Sequence, residues 1–132
     1  MGLIYLDACL LIYLVEQDVV WAKPVAEAMA GAVNAHYAIS PLVKMECLVG
    51  PARHGDLVRE RAFNRLFETV VLLDMPDEVY LQAAQLRGRF GLRTPDALQL
   101  ACAQHHRCDA LWTNDERLHQ ASYGLAQMIL KP

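Results

Sequence analysis

Four carboxylates in this 132-residue sequence combine residue type and position in a way that suits metal chemistry: Asp7, Glu46, Asp96 and Asp115. Carboxylate oxygens are hard donors, the kind that hold Mg²⁺ or Mn²⁺ rather than softer ions. Separations of 39, 50 and 19 residues mean that only folding can gather the four. Each also has an ordinary structural use to be weighed. An Asp just after a strand caps the helix that follows, and an Asp in a first helical turn complements the helix dipole. Asp7, Asp96 and Asp115 fit those uses. Glu46 fits them less well, because Met45, Cys47 and Leu48 flank it and Leu42 lies one turn earlier. A carboxylate on so apolar a helix is uncommon unless paired or metal-bound.

The elements that must position these acids alternate along the chain. Leu3–Leu6 is a short apolar strand ending at Asp7, followed by a helical segment over Leu10–Glu16. Trp21–Val33 is expected as a helix with Pro24 in its first turn. Tyr37–Ile39 is a strand, and Ser40-Pro41 then opens a helix to about Val49, which Gly50-Pro51 should stop. Asp56–Phe67 carries apolar residues at 58, 62, 63, 66 and 67, the spacing of one helix face. Thr69–Leu73 reads as a buried strand. A helix from Pro76-Asp77 to about Phe90 ends at Gly91, and Thr94-Pro95-Asp96 begins another that reaches about His106. Ala110–Thr113 is a strand, Asp115–Ala121 a short helix and Gln127–Leu130 a last strand. Short apolar strands alternating with helices predict a three-layer α/β/α domain over residues 1–132, with a central parallel sheet of four to five strands. In such a sheet, function concentrates at the carboxyl ends of the strands, where the four acids would meet.

Three segments carry a family resemblance. Ile4-Tyr5-Leu6-Asp7 resembles the opening motif of the PIN-domain ribonucleases, and of the VapC toxins of toxin–antitoxin pairs in particular. Ser40-Pro41-Leu42 with Glu46 and Gly50 resembles their second motif, and Asp96-Ala97-Leu98-Gln99-Leu100-Ala101 their third. Thr113-Asn114-Asp115 with Leu118 resembles the fourth. The motifs occur in order along essentially the whole chain. The resemblance implies that Asp7, Glu46, Asp96 and Asp115 hold one or two Mg²⁺ or Mn²⁺ ions, with Thr113 orienting a ligand water. It also implies hydrolysis of RNA phosphodiester bonds by metal-activated water, a VapB-like antitoxin as partner, and a homodimer. The chain departs from the pattern after the first Asp. Ala8 and Cys9 stand where the family has a Ser, Thr or Asn, which leaves that supporting contact unfilled. Two other readings share the fold: a binding module with little turnover, and a nuclease of RNA processing that no antitoxin neutralises.

Bulk properties narrow the field. A hydrophobic content of 55% with 20% charged residues is that of an ordinary globular domain. The formal charge of −3 excludes a broadly basic nucleic-acid coat, though with four acids gathered in one site the remainder is slightly basic. The apolar opening lacks a basic flank and is too short to span a bilayer, which points to a cytoplasmic protein without a membrane partner. Cys9, Cys47, Cys102 and Cys108 sit in apolar settings that suit reduced core thiols. Cys102, His105, His106 and Cys108 lack the paired spacing of a zinc site. Arg87, Arg89 and Arg93 lead toward Asp96, either as a solvated helix end or as a rim that steers phosphate. Arg53, Arg59, Arg61 and Arg65 fall mostly on a polar helix face.

Overall fold

Strand β1 (Gly2–Leu6) lies at the centre of a sheet whose other members are β2 (Ala35–Ile39), β3 (Val71–Leu72), β4 (Ala110–Thr113) and β5 (Ala126–Met128). The structure, a computed structural model, describes residues 2–130; Met1, Lys131 and Pro132 of the expected 1–132 domain lie outside the described residues. The strands are ordered β3-β2-β1-β4-β5 and every pairing is parallel. Strands covered on both faces carry uninterrupted apolar side chains. Tyr5 and Leu6 of β1 and Leu111 of β4 are accordingly inaccessible to solvent. From β1 the chain winds outward through β2 and β3, then crosses back to lay β4 and β5 on the other side. That reversal puts the topological switch between β1 and β4, where a parallel sheet leaves a crevice outside its carboxyl ends. Leu6 pairs with Trp112, and the Asp7 amide donates to the Trp112 carbonyl at 3.0 Å. Asp7 and Thr113 therefore emerge side by side at the crevice.

Among the described residues seven helices cover the sheet: α1 (Ala8–Val15), α2 (Ala22–Gly31), α3 (Pro41–His54), α4 (Leu57–Phe67), α5 (Asp77–Phe90), α6 (Thr94–His105) and α7 (Glu116–Ala121). Helix α1 packs against α2, α3 and α4, while α5 packs along α6, giving a three-layer α/β/α arrangement. Asp56 caps α4 by accepting from the Arg59 amide. Gly91 closes α5 at φ 69°, a conformation glycine adopts without a Cβ clash. Among the described residues no helix is long and apolar enough to cross a membrane.

The structure departs from the sequence expectations in four places. Gly50-Pro51 does not stop α3, which runs three residues past Pro51 and ends at Gly55 with φ 62°. Proline disfavours helix in the preceding residue partly through that residue's Cβ, and glycine has none. Strand β3 is two residues long, and both Val71 and Leu72 are exposed, because it forms the sheet edge rather than its interior. Val58 faces solvent at 74% exposure; Phe63 and Phe67 are what α4 buries. The two Pro-led helices lack the expected side-chain caps. Thr94 is already inside α6, and the Ser40 hydroxyl at the start of α3 pairs instead with the Tyr5 hydroxyl at 2.7 Å.

Candidate active site

Each of the four carboxylates comes from the end of a strand or from a helix beside the crevice. Asp7 occupies the N-cap position of α1, yet its side chain makes no capping bond. Its Oδ2 accepts a hydrogen bond from the Thr113 hydroxyl at 2.7 Å, across the seam between β1 and β4. The same Thr113 oxygen accepts from the Asp115 amide at 3.0 Å. One buried hydroxyl therefore fixes the positions of two acids. It also supplies a hydroxyl donor to Asp7 from β4, where Ala8 and Cys9 bring no hydroxyl or amide side chain. Asp115 keeps its ordinary structural use as well, because its Oδ1 accepts from the Arg117 amide at 2.9 Å and caps α7.

Asp96 lies in the first turn of α6 and is 8% exposed. Arg93, one turn before it, donates from Nε to Asp96 Oδ2 at 3.2 Å and approaches Asp115 Oδ2 with Nη2 at 3.7 Å. Glu46, on α3, accepts from Gln99 Nε2 at 2.8 Å. Helix α3 is less buried than its composition suggested, with Met45 at 57% exposure, but Glu46 itself is half-buried in the crevice.

Asp7, Glu46, Asp96 and Asp115 line one cavity of about 360 Å³ together with Arg93, Gln99, Asn114, Ile12 and Tyr13. Burial pushes Glu46 up from its usual 4.5 to about 7, with Asp7 and Asp96 adding repulsion. Burial and the neighbouring Asp115 raise Asp96 as well. Both carboxyls are raised first by loss of solvent and then by neighbouring negative charge. Arg93 is, among the described residues, the lone cationic one on the cavity wall. Among the described residues no three His, Cys, Asp or Glu side chains stand close enough together to hold a metal ion as they lie. The acids instead face a shared water-accessible space. That arrangement fits Mg²⁺, which keeps several of its waters and binds one or two carboxylates directly.

Gln99 is the functional neighbour that sequence reasoning passed over. Its signal was a polar side chain within the apolar run from Ala97 to Ala103 on α6. Of the three arginines expected near the site, only Arg93 reaches the cavity. Arg87 Nε donates to the Leu92 carbonyl at 3.0 Å, bracing the α5–α6 turn, and Arg89 lies over the Phe90 ring. Cys9 lines the cavity, but burial and Asp7 push its thiol far up, so it stays protonated and a poor nucleophile. Cys102 and Cys108 are buried, with thiols pushed up to about 12 and about 11. His106 Nε2 sits 2.7 Å from the Asp74 carbonyl, tying the end of α6 to the segment after β3.

The sequence profile of the PIN domain family matches residues 4–122. A toxin–antitoxin complex from Klebsiella pneumoniae contains a chain similar to this one, with 23% identity and a TM-score of 0.80 over 97% of this chain and 98% of that one. VapC20 of Mycobacterium tuberculosis, described as a sarcin–ricin loop cleaving toxin, is 16% identical with a TM-score of 0.78, covering 98% and 99%. VapBC-1 from nontypeable Haemophilus influenzae is 20% identical with a TM-score of 0.77, covering 98% and 99%. At these identities the likeness is one of fold. Among curated proteins none matches the chain.

Proposed function

Because this chain belongs to the PIN domain family, we propose that it is a Mg²⁺- or Mn²⁺-dependent endoribonuclease and the toxin of a toxin–antitoxin pair. The observation that carries the reading is the meeting of four carboxylates on one cavity at the switch point of the sheet. Asp7, Glu46, Asp96 and Asp115 would hold the cation. Bound there, it would supply a water of lowered pKa and offset the charge developing on the leaving oxygen. The protein's own groups prepare the site. Thr113 locks Asp7 and the start of α7, and Gln99 holds Glu46. Arg93 keeps Asp96 and Asp115 together, and its exposed guanidinium is placed to contact an RNA phosphate.

The similar chains in toxin–antitoxin complexes support a VapB-like antitoxin as partner; a homodimer as the working form is part of the same proposal and rests on the motif resemblance. Purified protein should cleave RNA with Mg²⁺ or Mn²⁺ and stop on addition of EDTA. Asp7→Asn and Asp96→Asn should each abolish cleavage, and full activity in both would sink the reading. Induced expression should arrest growth, and Asp7→Ala should relieve the arrest.

A further inference from the structure

Helix α6 buries a glutamine where packing alone favours an apolar side chain. Gln99 is 1% exposed, among the buried Ala97, Leu100, Ala101 and Cys102. Its Oε1 is buried without a hydrogen-bond partner, the one such side-chain atom among the described residues. A buried amide left half-satisfied is unfavourable, and a methionine of similar length would avoid that cost. What the amide does provide is the 2.8 Å bond from Nε2 to Glu46 Oε1, joining α6 to α3. Glu46 needs such a tether. Burial and the charges of Asp7 and Asp96 disfavour its ionised form, and the Gln99 amide is the hydrogen-bond donor that offsets them. A lysine or arginine could also hold it, but would bring a positive charge that competes with a divalent cation. A neutral donor restrains the carboxylate without that competition.

We propose that Gln99 is a positioning residue that holds the Glu46 carboxylate in the acidic cavity and so sets the affinity of the site for divalent cation. The inference rests on the nuclease reading above. Gln99→Met removes the amide and keeps length and apolar fit. It should melt at or above the wild-type temperature, because the unpartnered oxygen is gone. Its affinity for Mn²⁺ alone, measured by titration calorimetry, should fall by about tenfold, and kcat on RNA should fall more than KM changes. Gln99→His, which offers an N–H at comparable reach, should restore most of the Mn²⁺ affinity and, should the Met variant fail to fold, carries the test. In a Glu46→Ala background, Gln99→Met should cost no further affinity, since its target is already absent. Wild-type Mn²⁺ affinity and kcat in a folded Gln99→Met protein, independent losses in the double variant, or a His variant no better than Met each overturn the proposal. Wild-type protein that neither binds Mn²⁺ nor cleaves RNA overturns the nuclease reading instead.

Discussion

At the residue scale the strongest coupling in the site runs through Thr113. Its hydroxyl donates to Asp7 and accepts from the Asp115 amide while fully buried, so nothing in solvent can replace it. Thr113→Val keeps the shape and leaves two polar groups without their partner, which should cost about 1–3 kcal/mol in a thermal melt. Cleavage should fall further than that loss of stability explains, because both acids are released, and Thr113→Ser should recover it. Glu46 makes a prediction with a defined sign. Its carboxyl lies at about 7 in the folded chain against a usual 4.5. A group raised on folding contributes stability that is fully present below 4.5 and lost as pH rises through 7. Melts in EDTA should therefore show stability falling between pH 4.5 and about pH 7, by about 1–2 kcal/mol after allowance for a half-buried group. Mg²⁺ or Glu46→Gln should flatten that slope; an unchanged slope in Glu46→Gln would assign it elsewhere.

Gly50-Pro51 decides the most at the scale of elements, since it sits mid-helix and yet leaves α3 unbroken. Glycine inside a helix ordinarily destabilises by about 1 kcal/mol relative to alanine. A Cβ at position 50 would meet nothing but the Arg59 side chain at 3.7 Å beyond its chain neighbours. The neighbour that matters is Pro51, whose ring crowds the Cβ of a helical residue before it. Gly50→Ala should therefore gain nothing, or lose, in the wild-type background, and gain about 1 kcal/mol when Pro51 is also alanine. Equal gains in both backgrounds, read by chemical denaturation, would show that Pro51 places no demand on residue 50. The same pair shows why sequence reading misjudged this helix: Gly-Pro reads as a stop signal, but a glycine has no Cβ for the proline ring to crowd, and here the proline is also buried. Strands β1 and β4 were legible because uninterrupted apolar runs mean burial on both faces. Strand β3 was legible as a strand within Thr69–Leu73 but not as an exposed one, since edge or interior is decided by what lies beside it, and Val71 and Leu72 look alike in either place. Asp7, Asp96 and Asp115 were legible as positions after strands and in first turns. Gln99 was not, because a glutamine on a helix is ordinarily solvated, and only the approach of α3 gives it a partner.

At the scale of the whole molecule, the formal charge of −3 has to be reconciled with a polyanionic substrate. Charges farther away than about 8 Å are largely screened at physiological salt, so the potential near the cavity is set by its own residues. There, among the described residues, four carboxylates face Arg93 alone, and on the proposed reading the local sign would repel phosphate until a cation reversed it. RNA affinity should therefore be controlled by divalent cation rather than by a basic surface. Fluorescence anisotropy with a 2′-O-methyl RNA, which resists cleavage, separates binding from turnover. Affinity should rise about tenfold or more between EDTA and Mg²⁺, equivalent to some 1.4 kcal/mol. Asp96→Asn should blunt the rise, because it removes a cation donor. Monovalent salt should weaken binding only gently, since few lysine or arginine contacts release counterions. Equal affinity in EDTA with a steep salt dependence would place the RNA on the arginines of α4, at Arg59, Arg61 and Arg65, and away from the acids altogether.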